Sequence, residues 1–294
     1  MTGLAVPLLN PEIEPASMTM VLIIIALALL QGFCEFLPVS SSGHLALAQA
    51  CFGLTEPEII VDLVLHLGTL AAVIYYYRQT LLTLVIELQY LPKAAVSLIK
   101  FSFYYKTHPD FRLGILIIGA CFPTAAVGLF FNDFFISLFA SIPAVGLALI
   151  ITSAVLTLTS LAKPGGRTVA QMTIVDALVI GLVQGLAIAP GLSRSGLTIG
   201  AALLLGLDRD LAAKFSFILS IPAIVGGLLL TAGTGSGSSF GPSLLLVGVL
   251  ISAGSGYLAL KLLTALIDKG RFHLFAPWCF LVGLAALYWH WAIR

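Results

Sequence analysis

The stretch Gln31-Gly32-Phe33-Cys34-Glu35-Phe36-Leu37-Pro38-Val39-Ser40-Ser41-Ser42-Gly43-His44 decides how this chain is read. It is a polar, proline-containing segment set inside apolar sequence, and it has a partner. Further along the chain runs Gln184-Gly185-Leu186-Ala187-Ile188-Ala189-Pro190-Gly191-Leu192-Ser193-Arg194-Ser195-Gly196-Leu197-Thr198. Both segments read Gln-Gly, seven residues, then Ser-x-Ser-Gly, at a constant offset of 153. An internal repeat bears on the whole architecture and is read before any single residue. Each copy has a proline ahead of its serines, Pro38 and Pro190, though not in register. Packing of helices by small residues accounts for the glycines and serines alone. It does not account for Glu35, His44 and Arg194 in the same segments.

The surroundings of these segments are lipid-like. Of 294 residues, 60% are hydrophobic and 9% charged, with a mean hydropathy of +1.10. A soluble domain carries about 25% charged residues, so most of this surface must face hydrocarbon. The net charge of +1 gives no reason to expect a nucleic-acid partner. Cys34, Cys51, Cys121 and Cys279 lie in or beside apolar stretches with no CxxC pair, and read as packing residues rather than a disulfide or zinc framework. Glu12 and Glu14 stand where a secretory signal would be basic, so no removable leader is expected.

A helix needs about 20 apolar residues to cross the bilayer. Six stretches meet that length: 59–77, 113–131, 136–161, 212–231, 243–266 and 274–291. Two more, 18–36 and 173–189, run into the repeated polar segments and are followed by short apolar pieces, 45–52 and 199–207, that cannot span alone. Each pair therefore reads as a re-entrant helix–turn–helix hairpin, with irregular backbone buried in protein or lining a wet cavity. The stretch 81–103, broken by Glu87, Pro92 and Lys93, reads as interfacial rather than spanning.

Basic residues orient the chain. Arg78, Lys93, Lys100, Lys106 and Arg112 place 78–112 in the cytoplasm, and Lys163, Arg167, Arg209, Lys214, Lys269 and Arg271 fall on the same side. Glu12, Glu14, Glu56, Glu58, Asp133 and the Gly/Ser-rich loop 233–241 fall outside, with Arg294 as the exception. The expectation is thus an all-α polytopic protein, one membrane domain over 1–294, with six transmembrane helices and two re-entrant hairpins. An odd number of crossings inverts the second half, giving inverted repeats over 18–161 and 173–292.

Ionisable groups at membrane depth cost about 2.5 kcal/mol or more each, and a functional reason is the default for them. Glu35 follows Gln31 by four residues, so both side chains share a helix face, where they could hold a divalent cation or a water. Pro38 helps end the first arm. A second arm then starts near Gly43, with Ser40, Ser41 and Ser42 available as caps and free N–H groups suited to phosphate. His44 sits at that helix start. Arg194, between Ser193 and Ser195, offers a planar fork for phosphate oxygens, and Thr198 follows one turn later. A salt bridge between Arg194 and Glu35 across the hairpins is the plainer alternative for Arg194. The sum is an anion site of hydroxyls, one carboxylate, one imidazole and one guanidinium, a set suited to phosphoryl transfer.

At these residues the chain resembles the undecaprenyl-diphosphate phosphatase family of bacteria, the bacitracin-resistance type. Gln31 to His44 resembles the first family motif and Pro190 to Thr198 the second. Leu65-His66-Leu67-Gly68-Thr69 and Lys214-Phe215-Ser216-Phe217 resemble lesser family stretches. The resemblance implies hydrolysis of undecaprenyl diphosphate to the monophosphate and phosphate, recycling the carrier lipid for cell-wall synthesis in the bacterial plasma membrane. It also implies dependence on Mg²⁺ or Ca²⁺, with Glu35 as the metal residue, and a site reached from the outer face. It assigns Glu35 the acidic role, Ser41 that of nucleophile, His44 that of proton shuttle or base, and Arg194 that of phosphate clamp. Gln31, Ser40, Ser42, Gly43, Ser193, Ser195, Gly196 and Thr198 then serve substrate binding. The family motif opens with Glu or Gln, and Gln31 here puts a two-carboxylate mechanism in doubt. Attack by Ser41 and attack by water both stay open, as does lipid movement without hydrolysis. The expected partners are the lipid diphosphate and the membrane, with a homodimer as one option for assembly. The other histidines, His66, His108, His273 and His290, receive no role, and neither do Asp62, Asp176 and Lys261.

Overall fold

Apolar runs of this length fold as helices because a helix satisfies its own backbone groups where no water can. The computed structural model describes residues 18–52, 59–139, 141–163, 166–231, 238 and 240–292. Among these, the β-pairing is one isolated bridge between Arg167 and Leu207. Glu12, Glu14, Glu56, Glu58, Arg294 and most of the loop 233–241 lie outside the described residues.

The first half begins with α1 (Met18–Phe36), α2 (Ser41–Cys51), α3 (Ile59–Tyr76) and α4 (Arg78–Leu88). It continues through α5 (Leu91–Ala94), α6 (Leu98–Thr107), α7 (Pro109–Phe130), α8 (Asn132–Phe139) and α9 (Ile142–Leu158). The second half holds α10 (Ile174–Leu186), α11 (Arg194–Leu204), α12 (Arg209–Thr231), α13 (Pro242–Asp268) and α14 (Ala276–Ala292).

The chain is a polytopic all-α membrane protein. Six described helices are long and apolar enough to cross a bilayer, or seven with one bent pair. Their membership differs from the sequence expectation in three places. Helix α1 is itself long enough, because its 19 residues rise about 28 Å, and Gln31 and Glu35 are buried in its last turns without breaking it. Helix α3 turns by 75° into α4 rather than running on alone. The expected span 136–161 is interrupted before Ile142. Ser141 caps α9 by accepting from the Ala144 amide, and Pro143 sits in the first turn of α9, where its missing N–H costs no helix bond. The region 81–103 forms three short pieces, the end of α4, α5 and the start of α6.

Helix α1 packs on α13 and α10 packs on α7, so the long arm of each hairpin lies against a helix of the other half. Helices α9 and α14 pack on each other. Close approach of α1, α3 and α13 is allowed by Gly32 and Gly68. A Cβ on either would collide with the Ser255 or Ser252 hydroxyl at 1.9 or 2.0 Å. At one end of the bundle the basic loops converge. Arg112 donates to the Met172 carbonyl at 2.6 Å, Arg167 to Leu205 at 3.1 Å and Arg209 to Asp268 at 2.9 Å.

Candidate active site

Both repeated segments fold as helix, tight turn, helix, and their short arms start alike. Ser40 caps α2 by accepting from the Gly43 amide at 3.3 Å. Ser193 caps α11 by accepting from the Gly196 amide at 3.1 Å. Ser41 and Arg194 are thus the first residues of two 11-residue helices. The caps differ in one respect. Ser193 has φ −81°, whereas Ser40 has φ +71° and is the one non-glycine residue with positive φ among those described. Such strain is held only where the surroundings dictate it, and it clusters at functional sites.

The two tips interlock. A Cβ on Gly43 would lie 3.1 Å from the Gly191 Cα, and one on Gly196 would lie 3.2 Å from the Pro38 Cβ. The Ser195 hydroxyl donates to the Leu37 carbonyl at 3.3 Å, bridging the hairpins. Helix α9 steadies the second tip, where Thr152 Oγ1 accepts from the Ser193 amide at 3.1 Å and donates to the Gly191 carbonyl at 3.3 Å. Helix α14 steadies the first tip, where the Cys279 thiol donates to the Pro38 carbonyl at 3.3 Å.

At the junction sits Glu35, 7% exposed. Its Oε1 accepts from Arg194 Nη2 in a close ion pair. Its Oε2 accepts from the Ser41 hydroxyl at 2.7 Å and from Gln31 Nε2 at 3.0 Å. His66 Nε2 lies 3.5 Å from the same oxygen. Two buried polar atoms here have no partner, Arg194 Nη1 and Gln31 Oε1. Buried groups are ordinarily satisfied, so one unfilled donor and one unfilled acceptor mark places where a ligand's atoms would fit. Ser41, Ser42 and His44 are half-buried, which leaves the junction open on the side of α2.

The remaining expected residues surround this core. Ser40 and Ser42 hydroxyls are 3.4 Å apart, and those of Ser193 and Ser195 are 3.3 Å apart. Thr198 donates to the Arg194 carbonyl at 2.7 Å and bonds the Ser216 hydroxyl of α12. His44 is held through both ring nitrogens. Its Nδ1 lies 2.9 Å from the Ser40 carbonyl, and Trp278 Nε1 donates to its Nε2 at 3.1 Å. A carbonyl can only accept, so Nδ1 carries the proton and both ring nitrogens are engaged away from Ser41.

The sequence matches the family described as "Bacitracin resistance protein BacA" over residues 24–285. This chain belongs to the BacA family. The relatives it resembles include an undecaprenyl-diphosphatase of Desulfatibacillum aliphaticivorans, 43% identical over 90% of this chain and 96% of the relative. An undecaprenyl-diphosphatase of Methanosphaera stadtmanae is 36% identical over 90% of this chain and 95% of the relative.

Within this BacA-family fold, sequence reading passed over His66 and Trp278. His66 reaches the first hairpin from α3, the next helix in the chain, and Trp278 from α14 near its other end, each standing singly in apolar sequence. The one signal available was the Leu65 to Thr69 stretch, whose only chemically versatile side chain is His66.

Fit to a divalent cation can be judged from the donors. Among the described residues no group of three or more His, Cys, Asp or Glu could hold a metal alone. The unfilled Gln31 Oε1 and the Glu35 carboxylate do suit a magnesium-like ion, which typically takes one or two protein oxygens and completes its shell with water and substrate phosphate.

Proposed function

We propose that this chain hydrolyses undecaprenyl diphosphate to undecaprenyl phosphate and inorganic phosphate, as the names of its relatives state for them. The observation that carries the reading is the shared Glu35 carboxylate. It takes the Ser41 hydroxyl from one hairpin and the Arg194 guanidinium from the other, while Arg194 Nη1 is left unfilled.

The terminal phosphate docks against Arg194 and the first-turn amides of α2 and α11 that the Ser40 and Ser193 caps do not take. Ser41 already directs its proton at Glu35, so its lone pairs are free to attack phosphorus. Glu35 takes the proton as the O–P bond forms, and undecaprenyl phosphate departs. Arg194 stabilises the charge on the equatorial oxygens. Water then hydrolyses the phosphoserine. His44 serves this second step as proton shuttle once Trp278 releases its Nε2. Ser40, Ser42, Gly43, Ser193, Ser195, Gly196 and Thr198 shape the phosphate cradle. Glu35 and Gln31 Oε1 are the groups that would hold Mg²⁺ or Ca²⁺, which would neutralise phosphate charge.

The same proposal places the protein in the bacterial plasma membrane with the site facing outward. Its support is the gathering of Arg112, Arg167 and Arg209 at one end of the bundle, which suits a cytoplasmic surface. The halves are proposed as inverted repeats, since the long arm of each hairpin packs on the other half. Release of phosphate from undecaprenyl diphosphate by the purified protein in detergent tests the activity. Wild-type turnover in Arg194→Ala would remove the clamp from the mechanism.

A further inference from the structure

Ser40 has φ +71° and ψ 97°, a backbone conformation that an L side chain resists. Contacts around the residue must therefore hold it there. Its position gives the strain a consequence. Pro38 lies two residues before it, and Ser41 directly after it opens α2. The aim of the Ser41 hydroxyl follows from how the backbone is fixed between Pro38 and Ser41.

Two consecutive residues of α14 do that fixing. Cys279, fully buried, donates its thiol to the Pro38 carbonyl at 3.3 Å. Trp278 works through His44. Its Nε1 donates to His44 Nε2 at 3.1 Å, with the two rings 12° from parallel. His44 Nδ1 in turn lies 2.9 Å from the Ser40 carbonyl, which also accepts from the His44 amide at 3.2 Å. An indole nitrogen only donates and a carbonyl only accepts, so the chain from Trp278 through His44 to Ser40 runs in one direction. The brace continues to the second tip. Ser153 of α9 donates to the Ala276 carbonyl at 2.8 Å, tying the start of α14 to α9. The residue before it, Thr152, holds Gly191 and Ser193 of the second hairpin. One packed helix pair, α9 with α14, thus fixes both tips, and with them the placement of Ser41 relative to Arg194.

We infer that Trp278 and Cys279 are positioning residues, which hold the strained Ser40 backbone and so aim Ser41 at the phosphate bound by Arg194. The inference rests on the phosphatase reading above. Neither residue touches a reacting atom. Both act through the Pro38 and Ser40 carbonyls, during docking and attack, before Trp278 gives up His44 Nε2 to the second step. Without the brace Ser40 relaxes toward negative φ, the first turn of α2 swings, and the Ser41 hydroxyl leaves Glu35.

The test is steady-state phosphate release from undecaprenyl diphosphate by the full-length protein in detergent. Trp278→Phe keeps a ring and removes the donor. It should lower kcat about tenfold and leave the melting temperature unchanged, because the indole is 54% exposed. Cys279→Ser keeps a donor toward Pro38 and should recover most of what Cys279→Ala loses, a rescue that core filling alone would not give. The deciding measurement is a double-mutant cycle with Ser40→Gly. Glycine adopts positive φ freely and needs no brace. The loss caused by Trp278→Phe should therefore shrink to less than about twofold in that background. The same fold loss with and without Ser40→Gly, wild-type kcat in Trp278→Phe, or no gain from Cys279→Ala to Cys279→Ser would each overturn the brace. Absence of phosphate release from wild type would instead overturn the phosphatase reading.

Discussion

Ser41 and Arg194 occupy equivalent positions of the two hairpins, each the first residue of its short helix, and both bond the same Glu35 carboxylate. At the constant repeat offset, Glu35 itself corresponds to Ile188 and His44 to Leu197. The two halves have therefore diverged around a shared backbone device. One half supplies hydroxyl, acid and imidazole, and the other supplies the cation.

That shared carboxylate predicts a split between stability and activity. Arg194→Ala leaves Glu35 buried without its cation, and breaking a buried pair from one side costs about 3–5 kcal/mol. Glu35→Gln combined with Arg194→Met should recover much of the thermal stability in detergent and none of the turnover. Recovery of phosphate release in the pair would contradict the roles given to both residues.

Ser41 as nucleophile predicts a covalent intermediate. Acid-quenched wild type exposed to undecaprenyl diphosphate should show phosphoserine at residue 41 by mass spectrometry. Ser41→Ala should show none and should turn over at least about a hundredfold more slowly. Wild-type turnover by Ser41→Ala would assign the attack to water.

Gln31 sets the charge available to a cation. Gln31→Glu adds a carboxylate one helical turn from Glu35 and removes the 3.0 Å amide donor. The variant should reach half-maximal activity at lower Mg²⁺ or Ca²⁺, with a lower melting temperature from like-charge repulsion. A chelator should reduce turnover in both proteins. An unchanged cation requirement in Gln31→Glu would place the ion elsewhere.

The contact between the tips predicts sensitivity at Gly43. An added methyl would press on the rigid Gly191 backbone at 3.1 Å, and overpacking of this kind costs about 1–3 kcal/mol. Gly43→Ala should lose activity. Gly226→Ala, in α12 with nothing within 4 Å of the new methyl, should be neutral or slightly stabilising.

Away from the site, Asp176 closes a capping box with Thr173, whose amide donates to it at 2.6 Å, and pairs with Arg167 at 2.5 Å. Asp176→Ala should cost about 1–3 kcal/mol of stability, read as a fall in melting temperature. Turnover at low temperature should be unchanged.

The meeting of the hairpins was legible because the repeat puts one pattern in both halves, and because Glu35 and Arg194 are too costly in lipid to stay apart. The plain salt bridge weighed for Arg194 is present, and it is part of the same geometry. Less was legible where tertiary contacts decide. Trp278 and His66 meet the tips from α14 and α3, and no local spacing announces that. Nδ1 of His44 meets the Ser40 carbonyl within the motif, but Nε2 is engaged by Trp278 of α14, which the motif alone does not contain. The break before α9 was hidden because hydropathy runs evenly through 136–161, while the Ser141 cap and Pro143 decide the boundary.

The central claim is that residues from both hairpins act on one phosphate through one carboxylate. The most direct measurement is steady-state phosphate release from undecaprenyl diphosphate by Ser41→Ala, Arg194→Lys and the double variant. Residues acting as one unit lose activity non-additively, so the double variant should be no slower than the slower single one. Losses that multiply, as from two independent sites, would contradict the account.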